Sequence, residues 1–152
     1  MSNDVDLKTG VNKQIVQYCT FKVGKNFFGV PVLEVQEVIR KQLLTPVPLS
    51  QKQIRGLINL RGQIVTLIGL RQLFGMPEIE DIDSTNVVVK SNDSLSALIV
   101  DEINDVMDIE ITSFEKAPAT LSKYMKPFVK GIHKLEGQLL IILDLQKVLE
   151  FN

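Results

Sequence analysis

One pattern is written twice in this chain, and any fold must accommodate both copies. Ile54 to Leu70 aligns without a gap with Val129 to Leu145, 75 residues further on. Gly56 matches Gly131, Leu60 matches Leu135, Gly62 matches Gly137, Gln63 matches Gln138 and Leu70 matches Leu145. Each copy reads strand, tight turn, strand, short helix. Glycine lacks a Cβ and can take the positive φ that a hairpin demands, so Gly56, Gly62, Gly131 and Gly137 are read as turn glycines. Gln63 to Ile68 is rich in β-branched residues. Ile64, Thr66 and Ile68 fall on one face and Val65 and Leu67 on the other, so both faces are largely apolar. A strand with one wet face alternates more cleanly. Both faces should therefore be covered, one by a barrel interior and the other by a neighbouring element.

A second match strengthens the first. Val30 to Val38 aligns with Leu98 to Val106 at a spacing of 68 residues, so one modest insertion separates the two registers. The chain reads as an internal duplication of a unit of about 70 residues, too long and too few in copies for a solenoid. Met1 to about Asn12 is polar and expected to be a flexible tail. Ile15 to Val23 and Phe27 to Val32 read as strands around the turn Gly24-Lys25-Asn26, with Pro31 marking an end or an edge. Leu33 to Ile39 fits a short helix by its i, i+3, i+4 valines and isoleucine, and a strand remains open. Arg40 to Leu44 is a candidate short strand, and Thr45-Pro46-Val47-Pro48 an extended linker. Strands are expected at Thr85 to Lys90 and Leu95 to Val100. A closing helix starts at Asp144, a good N-cap, with Leu145, Val148 and Leu149 as its stripe. About five short strands per half cannot leave a wide flat sheet, and closure into a small barrel removes the edges.

Composition excludes several function classes. With 45% apolar residues and a net charge of −1, the chain is globular and has no phosphate-neutralising stripe for nucleic acid. Phe27-Phe28 beside Lys25 is a weak candidate for base stacking. The single cysteine, Cys19, rules out an internal disulfide and reads as a small buried hydrophobe. No signal-peptide core and no apolar run of roughly 20 residues is present, so a soluble, cytoplasmic protein without membrane insertion is expected. Catalysis finds little to work with. The one histidine, His133, has no nucleophile beside it and reads as structural. There is no phosphate loop. The carboxylates Asp101 and Glu102 lie in an apolar junction, and Glu78, Glu80, Asp81 and Asp83 form an acidic loop better read as solvated than as a metal site. No metal and no cofactor are expected.

What remains is surface. Val35, Val38, Ile103 and Val106 hold matched places, with Glu37 and Asp105 matched beside them. Apolar groups next to a charge suit a protein-binding groove, while spacing alone favours plain core positions. Arg61 stands at a hairpin tip where packing does not require it, and the matched residue is Glu136. An arginine there is either solvated or a contact residue.

The ordered set Val35-Gln36-Glu37-Val38, Thr45-Pro46-Val47-Pro48, Gly56 to Val65 with Asn59-Leu60-Arg61-Gly62, and Leu70-Arg71 resembles the CheW family of bacterial chemotaxis. Leu98-Ile99-Val100-Asp101, Gly131 and Leu143-Asp144-Leu145 extend the likeness to nearly the whole chain, from about Ile15 to Leu149. The resemblance implies a mainly β fold of two SH3-like five-stranded barrels, with short helices and a C-terminal helix. The expected division is a tail over 1–12, a first barrel at about 27–84 and a second at about 85–143. Strand 15–23 and helix 144–150 would pack across the halves. The resemblance also implies a non-catalytic adaptor that bridges the regulatory domain of the histidine kinase CheA and the cytoplasmic tips of chemoreceptors. Val35, Glu37, Val38, Arg61 and Val106 would serve the receptor, and the kinase contact would fall on the first barrel. A coupler of a pilus-motility pathway, or a barrel that carries a small ligand, are the alternatives. One departure stands out: Gly69 occupies a place where the family commonly has an acidic cap, and Asp144 keeps that cap in the second copy. The helix after Gly69 is expected to be looser.

Overall fold

A computed structural model describes residues 2–5, 12–79, 84–91 and 93–150. The strands are β1 (Ser2–Val5), β2 (Asn12–Val23), β3 (Asn26–Pro31), β4 (Val35–Arg40), β5 (Ile54–Leu60), β6 (Gln63–Gly69), β7 (Thr85–Ser91), β8 (Ser94–Val100), β9 (Glu102–Glu110), β10 (Val129–Leu135) and β11 (Gln138–Leu143). One-turn helices α1 (Leu70–Leu73) and α2 (Leu145–Val148) follow β6 and β11. Leu33 to Ile39 resolves into a 3-10 turn, Val32–Glu34, and then strand rather than helix. Arg40 closes β4, and residues 41–44 form no strand.

The strands form two five-stranded barrel-like sheets. The first runs β4-β7-β8-β6-β5; the second runs β2-β3-β11-β10 with β9 also paired to β2, and β1 extends it. This corrects the expected division at residue 84. The first barrel takes β4, β5 and β6 from the first copy but β7 and β8 from the second, and the second barrel takes β2 and β3 with β9, β10 and β11. The cause is non-local. After β3 the chain turns through Val32–Glu34, and after β8 through Asp101, each time leaving one barrel for the other. Parallel pairs then join the copies: Val65 faces Leu95 in the first barrel, and Leu140 faces Phe27 in the second. These are the same matched positions. The antiparallel registers repeat too, with Val38 opposite Val87 and Val106 opposite Cys19, and with a bulge at the same place in each. The duplication is thus written into the hydrogen bonding. The tail expectation is corrected over residues 2–5 and at Asn12, while residues 1 and 6–11 lie outside the described ones. Ser2–Val5 pairs with the start of β2, Ser2 facing Ile15 and Val5 facing Asn12, because β2 runs on past the residues that β3 covers.

Both faces of the hairpin strands are covered, as their apolar pattern requires. Ile58, Val65, Leu67, Val88, Leu95 and Ala97 fill the first barrel. Tyr18, Phe27, Ile109, Leu140 and Ile142 fill the second. A larger core lies between the barrels and includes Phe21, Phe28, Ile68, Leu70, Phe74, Leu98, Ile141 and Leu143. Phe27 and Phe28 are buried, so the base-stacking reading fails. The buried side chains that fill both interiors argue against a ligand-carrying barrel. Cys19 is buried in β2, and burial pushes its thiol up.

The glycines divide by role. Gly62 and Gly137 are the hairpin turns, at φ 84° and 80°, with open space around them. Gly56 and Gly131 are not turns; they lie inside β5 and β10, where a bulge lets the preceding loop segment close the barrel. Thr45 and Leu57 exchange backbone hydrogen bonds of 2.8 Å across that seam, and Glu115 and Ile132 do so at 2.7 and 3.0 Å in the second barrel. A Cβ on Gly56 would lie 2.7 Å from the Thr45 carbonyl oxygen, and its φ of 153° already excludes most side chains. At Gly131 the neighbour is the Phe114 ring.

Asp144 caps α2, accepting from the Lys147 N–H at 3.4 Å. Gly69 offers α1 no side-chain cap, yet α1 is four residues long, as α2 is. Arg71 fastens it instead. Its guanidinium donates to Asp101 from Nε at 3.1 Å and from Nη2 at 2.5 Å, and to the Pro77 carbonyl at 3.0 Å. The Gly24 N–H donates to the same carboxylate at 2.7 Å. Burial pushes the Asp101 carboxyl up; the Arg71 and Gly24 hydrogen bonds and the guanidinium charge outweigh it and hold the group below its ordinary value.

Two outcomes follow for denaturation experiments. Gly56→Ala should cost ~2 kcal/mol or more and Gly62→Ala ~1 kcal/mol, because only the first meets backbone as well as unfavourable φ. Equal losses in urea unfolding would refute the closure role. A carboxyl depressed in the folded state stabilises above its unfolded pKa of about 4, and that contribution is lost as pH falls through the folded value. The stability gap between the protein and Asp101→Asn should therefore be largest near neutrality and narrow on acidification. Thermal melts across a pH series that show the gap widening in acid would contradict the assignment.

Candidate protein-interaction site

The expected site residues fall into three places rather than one patch. Val35 is half-buried and packs against the core between the barrels, where the matched Ile103 also packs. The core reading is right for this pair. Val38 and Val106 are 41% and 55% exposed. Residues directly opposite in an antiparallel pair share a face. Val38 lies opposite Val87 and Val106 opposite Cys19, and both partners belong to the core between the barrels. The two valines thus bring the inter-barrel face out to solvent on matched strands. Glu37 faces Val88, which points into the first barrel, so Glu37 and Val38 take opposite sides of β4.

Glu37 and Arg61 meet. The Arg61 guanidinium donates to Glu37 Oε1, from the β5–β6 hairpin tip to β4. β4 and β5 are the two ends of the first sheet, so the pair crosses the seam that the Thr45–Leu57 bridge closes further along. Arg61 sits at φ 50°, a left-handed conformation uncommon for a side chain of this size. With Gly62 it makes a two-residue turn with both φ positive, and the Asn59 side chain accepts from the Gly62 N–H at 2.8 Å. The matched turn in the second barrel carries Glu136, and the residue matched to Glu37 is Asp105, so that seam has two like charges where the first has an ion pair. The Asp105 carbonyl accepts from the Thr20 hydroxyl at 2.5 Å, at the bulge between β2 and β9 and not across the seam.

Sequence reasoning passed over a further surface. Leu43, Leu44 and Leu49, in the loop between β4 and β5, are 101%, 40% and 106% exposed, and Leu49 holds a positive φ of 60°. The signal was present as leucines in a segment interrupted by Pro46 and Pro48. His133 stacks edge-on to Phe114, 6.4 Å between ring centres, in the second barrel. Glu78 pairs with Arg55 at 2.6 Å, while Glu80, Asp81 and Asp83 lie outside the described residues. Among the described residues no group of three or more His, Cys, Asp or Glu is placed to hold a metal, and no helix is long and apolar enough to cross a membrane.

A family model described as a CheW-like domain matches residues 17–151. The chain belongs to the CheW family. The chemotaxis protein CheW of Bacillus subtilis is 34% identical over 146 residues, covering 95% of this chain and 90% of that one. CheW of Helicobacter pylori is 29% identical over 140 residues, with 91% and 84% covered. Protein PilI of Pseudomonas aeruginosa is 27% identical over 123 residues, with 80% and 68% covered. The crystal structure of scaffolding protein TtCheW from Thermoanaerobacter tengcongensis superposes with a TM-score of 0.81 at 28% identity, covering 91% of this chain and 90% of that one. Members of the CheW family are non-catalytic scaffolds of chemotaxis, and this chain is not an enzyme.

The ion pair is open to a direct measurement. Glu37 is 28% and Arg61 66% exposed at the side chain, so solvent screens their attraction. A double-mutant cycle of Glu37→Ala and Arg61→Ala in urea unfolding should give a coupling of about 0.5–1 kcal/mol, smaller at high salt. Absence of coupling at low salt would remove the pair from the account of the site.

Proposed function

We propose that this chain couples the cytoplasmic tips of chemoreceptors to the regulatory domain of the histidine kinase CheA. A bridge between two proteins needs two separate surfaces, and that is the observation that carries the reading. The receptor arm takes Val38 and the Glu37–Arg61 pair from the two sides of β4, with Val106 on the matched strand of the second barrel; the other surface is the leucine-bearing loop of the first barrel, with Leu43, Leu44 and Leu49. The first combines exposed apolar groups with a charge pair, which suits an amphipathic receptor helix. Val35 supports it from beneath. The second is apolar and extends from a barrel, which suits a barrel-to-barrel contact with the kinase. The protein works in the cytoplasm and is recruited to membrane receptor arrays through the first surface. The likeness to Protein PilI supports a second pathway for the same coupling chemistry, one that serves pilus motility.

Titration of the protein against a receptor cytoplasmic fragment and against the CheA regulatory domain tests both arms. Arg61→Ala, Glu37→Ala and Val106→Asp should weaken receptor binding about tenfold, the range of a contact worth 1–2 kcal/mol, and leave kinase binding intact. Leu43→Asp and Leu49→Asp should do the reverse. Binding of neither partner by folded protein would overturn the proposal.

A further inference from the structure

The two crossovers between the barrels occupy matched places but are held differently. At one the chain passes from β8 to β9 through Asp101; at the other it passes from β3 to β4 through Val32–Glu34. Asp101 matches Leu33, 68 residues earlier, and Arg71 matches Gln146, 75 residues later. At the first crossover Asp101 accepts two hydrogen bonds from Arg71 and one from the Gly24 N–H, and its own N–H donates to the Lys22 carbonyl at 2.9 Å. Arg71 belongs to the first barrel, through α1. Lys22 and Gly24 belong to the second, through the β2–β3 hairpin. The pair is 16% and 21% exposed at the side chains. At the other crossover Leu33 is 81% exposed and Gln146 is exposed. Both crossovers close, so closure does not require the carboxylate, and the molecule contains its own control.

We propose that Arg71, Asp101 and the Gly24 amide form a clamp that sets the angle between the two barrels, and that this fixed angle lets receptor and kinase engage together. The second half rests on the coupler reading above. The physical reason lies in the kind of contact. Much of the remaining junction is apolar core, and apolar burial is non-directional, so packed layers can slide by small shears. A forked guanidinium on a carboxylate fixes distance and orientation at once. Its low exposure keeps salt from screening it. Neither Arg71 nor Asp101 belongs to the proposed partner surfaces, so both act as positioning residues.

The test uses Arg71→Gln, Asp101→Asn and the conservative Arg71→Lys, with Leu33→Ala and Gln146→Ala as controls at the unclamped crossover. Residual dipolar couplings on the free protein read the inter-barrel angle. Titrations against the kinase regulatory domain and a receptor fragment read each arm, and receptor-stimulated kinase activity reads the coupling. The clamp variants should stay folded and shift or broaden the angle. They should bind each partner within about twofold of the parent and lose about fivefold or more of the stimulation, the scale of a typical coupling energy. Arg71→Lys should fall between, since lysine keeps the charge without the fork. The controls should match the parent. An unchanged angle in Asp101→Asn and Arg71→Gln overturns the clamp, and so does loss of one partner's binding in proportion to the lost stimulation. Failure of the parent to bind either partner would count against the coupler reading, while the angle measurement would still decide the clamp.

Discussion

The parallel pairing of β6 with β8, and of β11 with β3, is the constraint on which the rest of the structure depends. Parallel strands cannot be joined by a tight turn and need a long connection. From β6 to β8 it runs through α1, a loop and β7 of the same barrel, and from β3 to β11 it runs through the first barrel and back. Copy one supplies three strands to the first barrel and two to the second, and copy two does the converse. Neither copy supplies more than three of the five strands of either barrel. The apolar pattern on both faces of β6 and β11 is the sequence expression of this exchange. Val65 and Leu67 fill a barrel, while Ile68 and Leu70, a few positions on, enter the core between the barrels.

Against so regular a scaffold, the differences between matched positions carry information. Pairs that the exchange needs are kept in kind: Val65 with Leu140, Leu67 with Ile142, Ile68 with Leu143, Gly56 with Gly131. Several pairs that differ lie at the seam and the crossovers. Glu37 and Arg61 attract where Asp105 and Glu136 share a sign. Asp101 and Arg71 bind where Leu33 and Gln146 do not. Ile64 is 61% exposed, while the matched Leu139 packs against the central core. Leu121 and Met125, from the segment that leads into β10 and holds the extra length of the second copy, pack against the same core. The shorter segment of the first copy leaves Leu43 and Leu49 in solvent instead.

Local features were legible in the sequence. The hairpins around Gly62 and Gly137, the Asp144 cap, the end of β3 at Pro31 and the duplication all follow from turn chemistry and spacing. Partner choice was not legible, because it is non-local: nothing in Val30 to Val38 says that the chain changes barrels there. The valines show the same limit at the scale of one residue. Val35 and Val38 fit a helical spacing, a strand or a core equally well, and the bulge between Val35 and Glu37 decides which faces they take. Arg71 and Asp101 were both visible in the family-like motifs, but 30 residues of chain hide their contact. Gly56 and Gly131 were recognised as glycines the fold needs, with the wrong reason attached, since a turn and a strand crossed by a neighbouring backbone both exclude a Cβ.

Arg61 shows why a stability account is insufficient at the seam. Its left-handed backbone costs ~1–2 kcal/mol relative to glycine or asparagine, the residues that such a turn favours. The ion pair with Glu37, on a side chain two-thirds exposed, returns about 0.5–1 kcal/mol at most. The sum is near zero or unfavourable. The same turn in the second barrel closes with Glu136 outside the positive-φ region, so the fold does not demand the strain. What the strained arginine does provide is placement. It carries a guanidinium from an exposed hairpin tip back over the edge of β4 and holds it against Glu37 before any partner arrives. Under the coupling proposal, the ordering entropy of that long side chain is spent in folding rather than in binding, and Arg61 gives up stability for a preorganised contact.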